Sequence, residues 1–140
     1  MEARMIGAVF DSNVIVSGLV WRGESYLCLV AQARRRVRVF SGAWILEEVR
    51  LRLKELAAER RSAGDPWPAF NWFSCTAKIV EPAPTGKQRS RDPKDDPILG
   101  TALAGHVKTT ITKDRDLLDL GKPFGVEMLH PADFLRRLNC

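Results

Sequence analysis

The 140 residues suit one domain of ordinary size, and a composition of 45% hydrophobic and 28% charged residues excludes a disordered or fibrous chain. Lys and Arg number 22 against 17 Asp and Glu, a net charge of +5 that favours an anionic partner. Two histidines and three scattered cysteines (Cys28, Cys75 and Cys140) exclude a paired-ligand zinc site and a disulfide framework, and they point to the cytoplasm.

The apolar stretch from Ile6 to Val20 is interrupted by Asp11, Ser12, Asn13 and Ser17, so neither a membrane span nor a signal peptide is expected. Its first part, Ile6 to Phe10, reads as a buried strand that ends at Asp11. Residues 24–36 read as a helix with Tyr26, Leu27, Val30 and Ala33 on its apolar face and Arg34, Arg35 and Arg36 at its negative end. Val37 to Phe40 is a second strand, and Ser41 a candidate N-cap. The next helix, residues 43–61, carries the stripe Leu46, Val49, Leu53 and Leu56. Pro68 to Cys75 reads as a short aromatic helix whose Trp67, Phe70, Trp72 and Phe73 belong to core or oligomer contacts, and Lys78 to Val80 as a third strand.

Residues 81–94, with three prolines and the basic Lys87, Arg89, Arg91 and Lys94, form a loop. Asp96-Pro97 opens a helix that Gly105 ends. A fourth strand at 109–112, a single turn at 115–120, a fifth strand at 126–129 and a helix at 131–138 complete the chain. Alternation of this kind predicts a three-layer α/β/α sandwich around a mostly parallel sheet of four or five strands, within one domain over residues 1–140. The histidines, His106 and His130, sit in no triad-like setting and are expected to be structural, while Cys28 and Cys75 are expected to be buried.

In such a sheet functional groups collect at the carboxyl ends of the strands. Asp11 follows the first strand and Asp114 the fourth; Asp96 opens the helix before the fourth, and Glu48 lies in the first turns of the helix after the second. Four carboxylates at one edge repel unless a cation neutralises them. The donors are all hard oxygens, which suits Mg²⁺ or Mn²⁺. An acidic metal pocket in a basic protein points to a phosphodiester substrate, with Lys and Arg on the flanking phosphates.

These segments together resemble the PIN-domain family (PilT N-terminus), in particular its VapC-like toxin ribonucleases. The resemblance is carried by Asp11-Ser12-Asn13-Val14, Ile45-Leu46-Glu47-Glu48-Val49, Asp92-Pro93-Lys94-Asp95-Asp96-Pro97-Ile98-Leu99, Thr112-Lys113-Asp114-Arg115-Asp116-Leu117 and the closing His130-Pro131-Ala132-Asp133-Phe134-Leu135. It implies strands one and four side by side, an acidic quartet of Asp11, Glu48, Asp96 and Asp114 that is both catalytic and metal-binding, and Asp116 beside it. It further implies that Asn13, Thr112 and Ser17 orient those groups by hydrogen bonds; separately, the place of Arg91 in the basic loop beside the acids makes it a candidate substrate contact. Glu47 competes with Glu48, and Asp92 and Asp95 compete with Asp96. The implied activity is metal-dependent hydrolysis of RNA by the toxin of a toxin-antitoxin pair, with a small antitoxin partner and a homodimer. Two other readings stand beside it. A haloacid-dehalogenase-like phosphatase would need a second Asp at position 13, where Asn13 stands. A catalytically silent PIN-like RNA- or protein-binding module would tolerate loss of an acid, and all four are present.

Overall fold

A computed structural model of the chain describes residues 5–59, 64–84 and 96–139, with Asp96 described in its backbone alone. In chain order the elements are β1 (Ile6–Phe10), α1 (Ser12–Val20), α2 (Glu24–Ala33), β2 (Val37–Ser41), α3 (Ala43–Ala58), α4 (Trp67–Thr76), β3 (Lys78–Ile79), α5 (Asp96–Ala104), β4 (Thr109–Ile111), α6 (Arg115–Leu118), β5 (Glu127–Leu129) and α7 (Pro131–Leu138), with a 3-10 turn at Pro123–Gly125. The five strands form one sheet in the order β3-β2-β1-β4-β5, and every pair is parallel. The chain steps outward from β1 through β2 to β3, then returns to the other side of β1 for β4 and β5. The reversal falls between β1 and β4, where a crevice opens outside the carboxyl ends of the strands.

Alternate residues of β1 face opposite layers. Phe10 meets Phe134 of α7 edge to face, with ring centroids 6.4 Å apart at 76°, and both rings are fully buried. On the other face Gly7 lies under Phe40 and Val107; a Cβ there would come within 2.6 Å of Val107 Cγ1. Gly105, which follows α5, approaches the same Phe40 ring so closely that a Cβ would stand 2.7 Å from Cδ1. Gly7 therefore makes room for Val107, and Gly105 for the Phe40 ring, in the layer between β1 and the α5 end. Helices cover both faces, as the alternating elements predict.

The structure differs from the sequence reading in several places. No helix is predicted after Asp11, yet Ser12–Val20 is helical. Its Val14, Ile15, Val16 and Val20 are β-branched and strand-like by propensity, and burial of the first three in the core overrides that preference. The apolar face of α2 is also not the predicted one. Leu27 is 49% exposed, whereas Ser25, Cys28, Leu29 and Gln32 are buried. Small residues let α2 lie close against α1, where a Cβ on Gly18 would stand 2.7 Å from Leu29 Cδ1. That helix stops at Ala33, and Arg35 takes a left-handed turn with φ 59°.

Ser41 is not a cap but the last residue of β2; Gly42 holds the N-cap position of α3, which ends at Ala58. The buried stripe of α3 is Ile45, Val49, Leu53 and Leu56, with Leu46 only partly covered. Phe73 is fully buried, and Trp67, Phe70 and Trp72 pack around the core. Cys28 is buried as predicted, but Cys75 is exposed on the outer side of α4. His130 serves structure: its Nδ1 accepts the Ala132 N–H at 3.1 Å and caps α7. Of the predicted loop only residues 81–84 are described, and Ala83 N–H donates to the Gly100 carbonyl of α5 at 2.9 Å.

Among the described residues no single helix is long and apolar enough to cross a membrane; α1 and α2 together have the length and composition but meet at 90°.

The Phe10–Phe134 contact ties α7 to the central strand. Phe134→Ala leaves a cavity under β1 and is expected to cost about 3–5 kcal/mol, read as a lower urea midpoint at unchanged m-value.

Candidate functional site

The site grows from the last rungs of the ladder. Asp11 N–H donates to the Ile111 carbonyl at 2.9 Å, and Thr112 N–H donates to the Leu129 carbonyl at 2.9 Å. The ends of β1, β4 and β5 are thereby locked in register. Asp11 has extended backbone (φ −61°, ψ 150°) and stands at the N-cap of α1, where its carbonyl accepts from Val14 and Ile15 N–H. Its side chain does not cap the helix but turns into the crevice, only 3% exposed.

Two hydroxyls hold the acids. Thr112 Oγ1 donates to Asp11 Oδ2 at 2.8 Å and accepts the Asp114 N–H at 3.0 Å, so one side chain links the ends of β1 and β4. Ser12 Oγ lies 3.1 Å from Glu48 Oε1 and 3.4 Å from Asp11 Oδ1, sharing its single proton between them. Asp114 caps α6, its Oδ1 accepting the Asp116 N–H at 2.8 Å. Ser12 is not among the orienting residues that the resemblance implies, although a hydroxyl directly after the first acid is a signal for it.

Electrostatics follow from burial. The Asp11 carboxyl is pushed up from an ordinary 3.8 to about 6, chiefly because it is withdrawn from water. The Thr112 hydroxyl and the Ser12 backbone pull it down, and the negative charges of Asp114 and Glu48 push it up. Glu48 Oε2 is buried and has no hydrogen-bond partner among the described residues. Glu47, the other acid of the pair, points outward to Arg50, whose Nε donates to it at 2.9 Å and holds its carboxyl below the usual range.

Asp11, Glu48 and Asp114 are thus brought to one place through Ser12 and Thr112. Asp116 meets the group through its backbone. Ser17 lies farther along α1 and accepts a hydrogen bond from Lys113 Nζ at 3.1 Å. Asn13 is exposed and, among the described residues, makes no hydrogen bond to the acids. The side chain of Asp96 and all of Arg91, Asp92 and Asp95 lie outside the described residues.

Among the described residues no three Asp, Glu, His or Cys side chains form a ready coordination shell. The chemistry nevertheless fits a hard divalent cation. Every donor is oxygen, Glu48 Oε2 is a buried acceptor with no partner among the described residues, and Asp11 is destabilised as an anion by burial and by the neighbouring carboxylates.

The raised pKa has a defined consequence for stability. Below about pH 4 Asp11 is protonated in both folded and unfolded chains and contributes nothing. Between 4 and 6 the unfolded chain ionises first, and above 6 the folded state carries the full penalty, about 3 kcal/mol for a rise from 3.8 to about 6. Asn at this position keeps Oδ1 on Thr112 and turns Nδ2 towards Ser12 and Glu48. In EDTA, Asp11→Asn is therefore expected to melt above wild type at pH 8, the gain vanishing near pH 4; an equal gain at both pH values would contradict this origin.

A family model described as "PIN domain" matches residues 7–116. Among curated proteins none matches the sequence. Among solved structures, PAE2754 from Pyrobaculum aerophilum is similar with a TM-score of 0.64 and 16% identity, covering 97% of this chain and 98% of that one. VapBC2 from Rickettsia felis, bound to a DNA fragment from its promoter, is similar at 0.60 and 11% identity, covering 89% and 98%. FitAcB from Neisseria gonorrhoeae is similar at 0.54 and 17%, covering 89% and 98%. At these identities the likeness speaks to the fold.

Proposed function

The chain belongs to the PIN domain family, whose members are generally nucleases, and from that membership we propose that it is a metal-dependent endoribonuclease, the toxin component of a toxin-antitoxin pair. One observation carries the reading: a buried Asp11 at the switch point of the sheet, raised to about 6 and crowded by Glu48 and Asp114. A fold holds such a group against its own stability where function requires it.

The proposed catalytic and metal-holding acids are Asp11, Glu48, Asp96 and Asp114. These acids would hold Mg²⁺ or Mn²⁺, which when bound would supply an activated water and offset charge developing on the phosphate. The protein's own part is positional. Thr112 holds Asp11 by its hydroxyl and Asp114 by its backbone, Ser12 ties Glu48 to Asp11, and burial excludes bulk water from Asp11. Asn13, Ser17, Asp116 and Arg91 are assigned to orientation of the acids and substrate.

The net charge of +5 supports both an RNA substrate and an acidic antitoxin segment. The fold-level likeness to VapBC2 and FitAcB supports the toxin branch with a small antitoxin partner, and a homodimer is proposed with it. The cysteines described, Cys28 and Cys75, are unpaired, which supports a cytoplasmic setting; burial pushes the Cys28 thiol up to about 12, so it stays protonated.

Purified protein is expected to cut unstructured RNA with Mg²⁺ or Mn²⁺ and not in EDTA. Asp11→Asn and Asp114→Asn, each folded by circular dichroism, should lower the rate at least about 100-fold, as expected from losing a few kcal/mol of transition-state stabilisation. Cleavage that survives EDTA or both substitutions would sink the proposal. RNA binding without any cleavage by metal-loaded wild type would favour a silent binding module.

A further inference from the structure

A groove runs between α1 and α3 from the acids outward. Its cavity of about 380 Å³ is bounded by Ser12, Asn13, Trp44, Glu48, Leu51 and Arg52, within the size range of small-ligand sites, roughly 300–1,000 Å³. We infer that this groove is a nucleobase subsite, in which the Trp44 indole stacks the base of a nucleotide adjoining the one held at the acids. The inference rests on the ribonuclease reading and adds to it the place where sequence is sensed.

Four observations support it. Trp44 and Glu48 are four residues apart on α3 and so share a face, which sets the indole one helical turn from the carboxylate. The indole is 37% exposed and Leu51, two turns along the same side, is 46% exposed, so apolar surface is left open beside the part-buried Glu48. The other carboxylates of the groove are already neutralised: Glu47 by Arg50, and Glu55 by Arg52 at 2.9 Å. A wall of low net charge with one flat aromatic suits a base and not a phosphate. Asn13 is exposed at the rim and offers both donors and an acceptor, the groups that read a base edge. Stacking on a single open indole requires an unpaired base, so the class of ligand is single-stranded RNA.

The test uses the full chain carrying Asp114→Asn, in which RNA binds uncut and Asn can still cap α6. Intrinsic fluorescence is titrated with unstructured oligo(A), oligo(C) and oligo(U) RNA in Mg²⁺. The parent is expected to be quenched with base-dependent affinity. Adding Trp44→Ala should remove most of the quench and weaken binding about 5- to 150-fold, the loss of one stacked base. Trp44→Phe should restore most of the affinity, and the salt slope should stay unchanged because no phosphate contact is lost. Unaltered affinity in a folded Trp44→Ala protein, while the parent binds, would overturn the subsite and leave the nuclease reading standing. No RNA binding by the parent would remove the nuclease reading, and the subsite with it. A dimer that becomes monomeric on Trp44→Ala in sedimentation would assign this face to contact between copies and overturn the inference.

Discussion

The hydrogen bond from Asp11 N–H to the Ile111 carbonyl closes the β1–β4 ladder, and the next residue of β4's extension, Thr112, is pinned in turn to β5. Because both strands run parallel, their carboxyl ends coincide, and residues that lie 101 positions apart in the chain meet at 2.8 Å. Slide β4 by one residue and Thr112 would face the opposite layer, leaving Asp11 without its donor and Asp114 without its anchor. The register of two short strands thus sets the spacing of the acids more tightly than any contact the acids make themselves.

That placement opposes stability. Hydrogen bonds to a carboxylate contribute about 1.5–3 kcal/mol each, and Asp11 receives them from Thr112 and the Ser12 backbone. Its pKa nevertheless stays near 6, so withdrawal from water outweighs those bonds, with the neighbouring negative charges adding to it. Among the described cations of α3 and the β4 end, Arg50 and Arg52 are engaged with Glu47 and Glu55, and Lys113 Nζ donates to Ser17. The core supplies the opposing stability: Phe10, Ile15, Phe134 and Ile111, all fully buried, surround the strand ends that hold the acids.

Much of the architecture is legible in the order of the residues. Apolar runs of three to five residues ending in polar groups mark the strands, and the strand-helix alternation implies a parallel sheet with both faces covered. The sheet proved wholly parallel and five-stranded. Helix α7 matches its expected bounds, since Pro131 opens it and its apolar residues repeat at helical spacing. Legibility failed where two elements pack on each other. In α1 the β-branched residues favour a strand by local preference, and in α2 nearly every side is apolar, so periodicity alone does not say which side faces in. The displaced stripe of α3, Ile45 in place of Leu46, has the same origin.

For the acids, residue order is enough to set their chemical kind and their positions after strands one and four, because a turn at the end of a parallel strand has only one edge of the sheet to occupy. It also determined that no nitrogen or sulfur ligand competes, since two histidines and three scattered cysteines are all the chain has. The tertiary structure alone decided which acids meet. Glu48 turns to Ser12 while its neighbour Glu47 turns to Arg50, a difference of about 100° around one helix that depends on where α3 lies against α1. The desolvation of Asp11 was likewise decided only there, because burial is a property of the layers closing over a strand end and not of the residues adjacent to it in the chain.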